Sequence, residues 1–265
     1  MKEAPLVSYV VPVYNMEETI GNTIESLLNQ DYPNKEIVVI NDGSMDNTEE
    51  ILKKYPIKYI TTENKGISHA KNLGLKNSKG EFIAFTDADC ELDKLWTKNI
   101  LKGFTDENIG IVGGITEYKI DGSYCSIYRS LEISRRFKNM KNLEVVLAPG
   151  NNSIFRREVL DNIGGFKPEW PFAEDAQISF LAFDYGYKIT KQNDAISYHM
   201  AENNFKKLIK KGLRTGKGYV LATKSHLKIS LVNKCFKHTD SYSISPAVTH
   251  NFFLDSLEYL AQIGL

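Results

Sequence analysis

Two aspartates one residue apart, Asp87 and Asp89, leave an apolar run in EFIAFTDADCELD (residues 81–93), with Glu91 and Asp93 close behind. In extended geometry, side chains repeat on one face every second residue, so the two carboxylates would share a face. Like charges held that close repel unless a cation or a proton lies between them. Carboxylate oxygens suit Mg²⁺ or Mn²⁺, and Mg²⁺ commonly takes one or two protein carboxylates together with phosphate oxygens and water. A metal–diphosphate site is the simplest chemistry for this pair. The plainer reading is an acidic turn capping a helix over 95–101, which Glu91 and Asp93 in its first turn would favour. The two are compatible, with the aspartates on a metal and the later acids on the helix.

The elements that must position this pair alternate in type. Segments 8–14, 36–42, 57–61, 81–87 and 109–114 are short, apolar and β-branched, as strands buried on both faces should be. Between them, 17–30, 45–54 and 68–77 carry helical spacing, with Ser44 as an N-cap and Gly80 after the third helix. Strands alternating with helices predict an α/β fold with a mostly parallel sheet, whose ligands bind outside the carboxyl ends of the strands. Asn15 and Glu17, Asp42, then Glu63 and Asn64 follow successive strands, and the acidic cluster follows the fourth. Each alone suits a cap or turn. Their convergence points to one crevice.

At 265 residues and 42% hydrophobic, the chain can bury a sizeable core. Lys+Arg and Asp+Glu both total 33, which gives no global bias toward nucleic acid. Ten of those bases fall in an acid-free stretch, 203–238, leaving the remainder at a formal −10. Three scattered cysteines without a C-x-x-C fit reduced thiols. Met1-Lys-Glu-Ala-Pro carries no leader pattern, and no apolar run reaches the roughly 20 residues that span a bilayer. A cytoplasmic protein, either soluble or peripheral at the inner face of the cell membrane, is expected.

VVPVYN (10–15), VINDGSMDNT (39–48), ENKGISHAKNLGL (63–75), FTDADC (85–90) and GGFKPEWPFAEDAQISFLAFDYGYKI (164–189) stand in an order that resembles family 2 glycosyltransferases, over roughly residues 6–215. The resemblance implies a GT-A fold, Rossmann-like, with a nucleotide-sugar-binding half (1–115), an acceptor half (116–200) and a basic helical C-terminal region (201–265). It implies inverting transfer from a nucleoside diphosphate sugar, with UDP the commoner nucleotide, to a glycan or lipid-linked hydroxyl. Asp87 and Asp89 match its D-x-D motif.

Residue by residue, the resemblance places Pro12, Tyr14 and Glu17 around the nucleotide, and Asp42 toward base and ribose, with Asn64 beside them. Lys71, where the family often has Arg, would neutralise phosphate charge. Asp89 is the direct metal ligand, Asp87 contacts ribose or metal, and His199 completes the Mg²⁺ or Mn²⁺ site. Asp175 of the Glu174–Asp175 pair is the base that takes the acceptor proton, and Glu174 holds the acceptor or a loop. PGNNSIF (149–155) would line the sugar pocket. Cys90 stands where the family often has a further acid. The Q-x-x-R-W signature of processive members is missing, since KKGLRTG keeps Arg214 but has Lys211 and Thr215 beside it, so one sugar per acceptor is expected. GLRTGKG (212–218) is not a P-loop, because it lacks a spacer and the final Ser/Thr.

Phe205, Leu208, Ile209 and Leu213 lie at helical spacing among Lys206, Lys207, Lys210, Lys211 and Arg214. Such a basic amphipathic helix suits an anionic membrane surface, or else packs on the core with a solvated face. NFFLDSLEYLAQIGL, at the end, is amphipathic and too charged to span. Two other readings are a sugar-1-phosphate nucleotidyltransferase, whose Gly/Arg-rich first loop is missing, and a non-catalytic nucleotide-sugar-binding module.

Overall fold

The computed structural model describes residues 4–128, 130–131, 147–168, 174–200, 204–210 and 212–213. Eight strands form one sheet in the order β3-β2-β1-β4-β7-β6-β8-β5. They are β1 (Val7–Val13), β2 (Lys35–Asn41), β3 (Lys58–Thr61), β4 (Phe82–Thr86), β5 (Cys90–Leu92), β6 (Ile109–Lys119), β7 (Asn152–Arg156) and β8 (Lys188–Met200). Helices α1 (Ile20–Leu28), α2 (Thr48–Leu52), α3 (Ile67–Asn77), α4 (Trp96–Leu101), α5 (Arg157–Ile163) and α6 (Glu174–Asp184) flank it.

The five strands predicted from composition all form, within about a residue at their starts. β1, β2, β3 and β4 pair in parallel. Strand alternation splits the core: Val7, Tyr9, Val11 and Val13 pack with residues of α1 and α4, whereas Val10 joins Phe85, Phe155, Val159 and Ile178 on the other face. The remaining half is mixed. β7 runs antiparallel to both β4 and β6, β8 runs parallel to β6, and β5 pairs antiparallel with β8.

One local expectation changes. Residues 90–92 are a strand, not the lead-in to the helix, so Glu91 stands on β5 and pairs with Lys119 at 2.7 Å. Asp93 does serve the helix end, its Oδ1 accepting the Leu95 amide at 2.9 Å. Residues 149–155, expected to line the sugar pocket, run into β7. Most of the basic C-terminal stretch, with Lys211, Arg214 and the terminal amphipathic segment, lies outside the described residues. Residues 205–210 are helical, as expected.

Candidate active site

The β1–α1 and β2–α2 loops are laced together at the carboxyl ends of their strands. Asn15 sits at φ 51°. Its amide donates to Ser44 Oγ (2.9 Å) while its Oδ1 accepts the Met45 amide (2.8 Å). Glu17 Oε2 accepts both the backbone and side-chain amides of Asn47, at 2.8 and 2.7 Å. Asp42 is buried, and its two oxygens accept the amides of Lys65 and Gly66 at 2.9 and 2.8 Å. A carboxylate has four lone-pair positions, so Asp42 can hold this loop and still face a ligand. Tyr14 and Asn64 are exposed at this rim, and Pro12 is half-buried in β1.

Asp87, Asp89, Cys90 and His199 come together with their ligand atoms all within 4.8 Å of one another. The backbone sets this cluster. β4 ends at Thr86, a turn carries Ala88 and Asp89, and the β5–β8 register places Cys90 opposite His199. Hydrogen bonds from outside pin the turn's exit: Leu92 N donates to Ser26 Oγ (3.1 Å), and Gln30, buried under α4, donates to the Asp93 carbonyl (2.7 Å). Burial first, then the charge of Asp89, raises the Asp87 pKa. That electrostatic cost is the one a cation would relieve.

His199 is held ready to ligate. Its Nδ1 lies 2.6 Å from the Met200 carbonyl, which can only accept, so Nδ1 carries the proton. In the neutral ring this leaves the Nε2 lone pair toward Asp89 Oδ1, 3.6 Å away, with Tyr118 stacked over the ring at 5.0 Å. Adjacent ligands of an ion bound at ~2.1–2.3 Å sit roughly 3–3.7 Å apart, a spacing the 3.6 Å His199–Asp89 pair already has, so the cluster could close on a divalent cation.

Lys71, expected beside phosphate, is placed among protein groups. It is buried, not solvated, and its ammonium pairs with Glu174 at 2.9 Å, contacts the Gly150 carbonyl at 3.4 Å, and lies over Phe85 and Phe166. Burial alone would push the lysine pKa down, but the charges of Glu174 and Asp87 outweigh it and raise the pKa. The cation expected at phosphate thus pairs with a protein carboxylate while also feeling the charge of Asp87. Glu174, assigned to the acceptor or a loop, is that partner.

Asn72, the next residue on α3, reaches the same neighbourhood: its Nδ2 donates to the Phe166 carbonyl (2.7 Å) and its Oδ1 accepts the Phe166 amide (2.9 Å). Gly165, at φ +70°, allows this approach, since a Cβ there would lie 2.5 Å from Asn72 Oδ1. Asp175 begins α6 beside Glu174. Burial, then the Glu174 charge, raises its pKa to about 6. Gly150 lies directly against it, a Cβ there falling 3.1 Å from Asp175 Cβ.

Two residues of this neighbourhood, Cys90 and Tyr118, have no role assigned from the sequence. Cys90 was noted as a departure, and its partnership with His199 depends on a three-residue strand too short to show periodicity. Tyr118 lies at the far end of β6, and no sequence signal marks it.

Residues 8–164 match the family described as Glycosyl transferase family 2. Over 230 residues the chain is 31% identical to Glycosyltransferase AglE of Haloferax volcanii, covering 82% of this chain and 73% of that protein. It spans about half the length of the next two curated relatives. Among solved structures, mannosyltransferase PcManGT from Pyrobaculum calidifontis, in complex with GDP-Man and Mn²⁺, superposes with TM-score 0.74 at 22% identity, covering 100% of this chain and 77% of that one. S. aureus TarS 1–349 in complex with UDP gives TM-score 0.60 at 26% identity, covering 74% of this chain and 61% of that one. These likenesses make the sheet described above a GT-A fold.

Proposed function

Because the chain belongs to glycosyl transferase family 2, and is thus a glycosyltransferase, we propose that it moves one sugar from a nucleoside diphosphate sugar to a hydroxyl of a glycan or lipid-linked acceptor, with inversion. The observation that carries this reading is the meeting, around Lys71, of a cation-ready cluster (Asp87, Asp89, His199) and a buried carboxyl with a pKa of about 6 (Asp175). A bound Mg²⁺ or Mn²⁺ would offset the charge of the diphosphate as it leaves. TarS supports UDP as the nucleotide, being the more similar in sequence of the two structures, although PcManGT holds GDP-Man.

Asp175 takes the acceptor hydroxyl's proton, and its raised pKa keeps it basic enough to do so near neutral pH. Lys71 and Glu174 neutralise each other beside it and fix the start of α6. Tyr14, Pro12, Glu17, Asp42 and Asn64 surround the nucleotide at the loops after β1, β2 and β3. Among the described residues, no helix is long and apolar enough to cross a membrane. The 205–210 helix leaves Phe205 and Ile209 exposed beside Lys206, Lys207 and Lys210, which suits contact with an anionic lipid surface carrying the acceptor.

A thermal-shift screen of UDP, GDP, dTDP and CDP with and without Mn²⁺ tests the donor site. Saturation at a hundredfold excess over Kd stabilises by about 2.7 kcal/mol. A manganese-dependent shift for one nucleotide, lost in Asp89→Ala and kept in Asp175→Asn, is expected. Equal loss of binding in both variants would contradict the division between donor and base.

A further inference from the structure

The residue after the D-x-D pair is a thiol where a carboxylate is common, and its placement is not that of a buried filler. Cys90 is fully buried, stands opposite His199 across the β5–β8 ladder, and has its Sγ inside the same 4.8 Å cluster as the Asp87 and Asp89 oxygens and a His199 ring nitrogen. Its sulfur is also oriented. Asn151 Nδ2 donates to it at 3.4 Å, and it faces Asp89 Oδ1 at 3.7 Å. An amide donating to sulfur leaves the thiol proton turned toward a carboxylate, and an N–H···S contact of this kind tunes the basicity of a ligating sulfur.

We propose that Cys90 Sγ is a fourth protein ligand of the cation, giving two carboxylates, one imidazole and one thiolate. This rests on the reading that Asp87, Asp89 and His199 hold the donor's cation. As the metal–sulfur bond forms, the thiol proton passes to solvent. Of the three negative charges then present, the ion offsets two, and the remaining one lies near a Lys71 ammonium that is shared with Glu174. The consequence is selectivity. Sulfur and imidazole together favour the softer first-row ions and Cd²⁺ over Mg²⁺, which prefers oxygen. The site would thus discriminate between metals that an all-oxygen D-x-D site treats more evenly.

The test uses the full chain with Cys125→Ser and Cys235→Ser, which leaves Cys90 as the remaining thiol. Co²⁺ should produce the near-ultraviolet sulfur-to-cobalt charge-transfer band, and Cd²⁺ binding should release a proton measurable in weakly buffered solution. Adding Cys90→Ser, or Cys90→Ala as a second variant, should abolish both signals and lower the preference for Cd²⁺ over Mg²⁺ by about tenfold or more. Manganese-dependent nucleotide binding in the parent without a cobalt band would overturn the thiolate ligand while leaving the donor site standing. No metal effect of any kind in the wild type would overturn the cation site, and this inference with it.

Discussion

The two halves of the sheet hold their site residues by different means. On the β1–β3 side, Asn15, Glu17 and Asp42 are fixed by a lattice of exchangeable hydrogen bonds between neighbouring loops, each accepting or donating to backbone within about 30 residues. On the β5–β8 side, Asp175, His199 and Cys90 are placed by buried, long-range contacts that include an ion pair between α3 and α6, a close glycine and a strand register. The first arrangement is redundant, so losing one bond leaves the others. The second is buried, so a single change there that leaves a charge or a close contact uncompensated should cost more.

The sharpest break in this symmetry is expected at Asp175. Asp175→Asn should lower transfer by about 10²–10⁴-fold while nucleotide binding by calorimetry is unchanged. A base must be ionised to accept a proton, so wild-type activity should rise with pH through about 6, following the pKa raised by burial and by Glu174. Glu174→Gln removes the second cause and should move that limb to lower pH; an unmoved limb would mean another group titrates. Lys71→Met comes next. It leaves Glu174 without its buried counter-charge and should cost about 3–5 kcal/mol in urea unfolding. Gly150→Ala presses a methyl group on Asp175 and should reduce kcat about tenfold with KM for the donor unaltered, because misplacement of a reacting group is costly even when small. Glu17→Ala, losing two bonds to Asn47 at an exposed rim, should cost only about 1 kcal/mol. A Glu17→Ala cost matching that of Lys71→Met would erase the distinction between the halves.

The same distinction decided what could be read from the chain. Strand–helix alternation through residue 114 is a local, periodic signal, and β1 to β4 with their helices formed where apolar spacing placed them. β7 inserts antiparallel between β4 and β6, and nothing periodic in its five residues says where it pairs. Lys71 shows why the site was harder. On a helix between an alanine and an asparagine it has the composition of a solvated residue, and only the return of α6 and Phe166 over α3 buries it against Glu174. Cys90 was obscured for the same reason, its meaning lying in a strand that comes much later.

That lateness bears on how the site is assembled. β5 is three residues long at the sheet's edge, and β8, its partner, follows about 110 residues later. At a synthesis rate of about 5–20 residues per second, β1 to β4 can pair on the ribosome for roughly 5–20 s before His199 is even polymerised. During that interval Asp87, Asp89 and Cys90 belong to a nascent chain whose turn has nothing to pair against. The loops after β1 to β3 can thus form before the Asp87–His199 cluster, which is closed by a strand that must find a short edge across the largest sequence separation paired in the sheet.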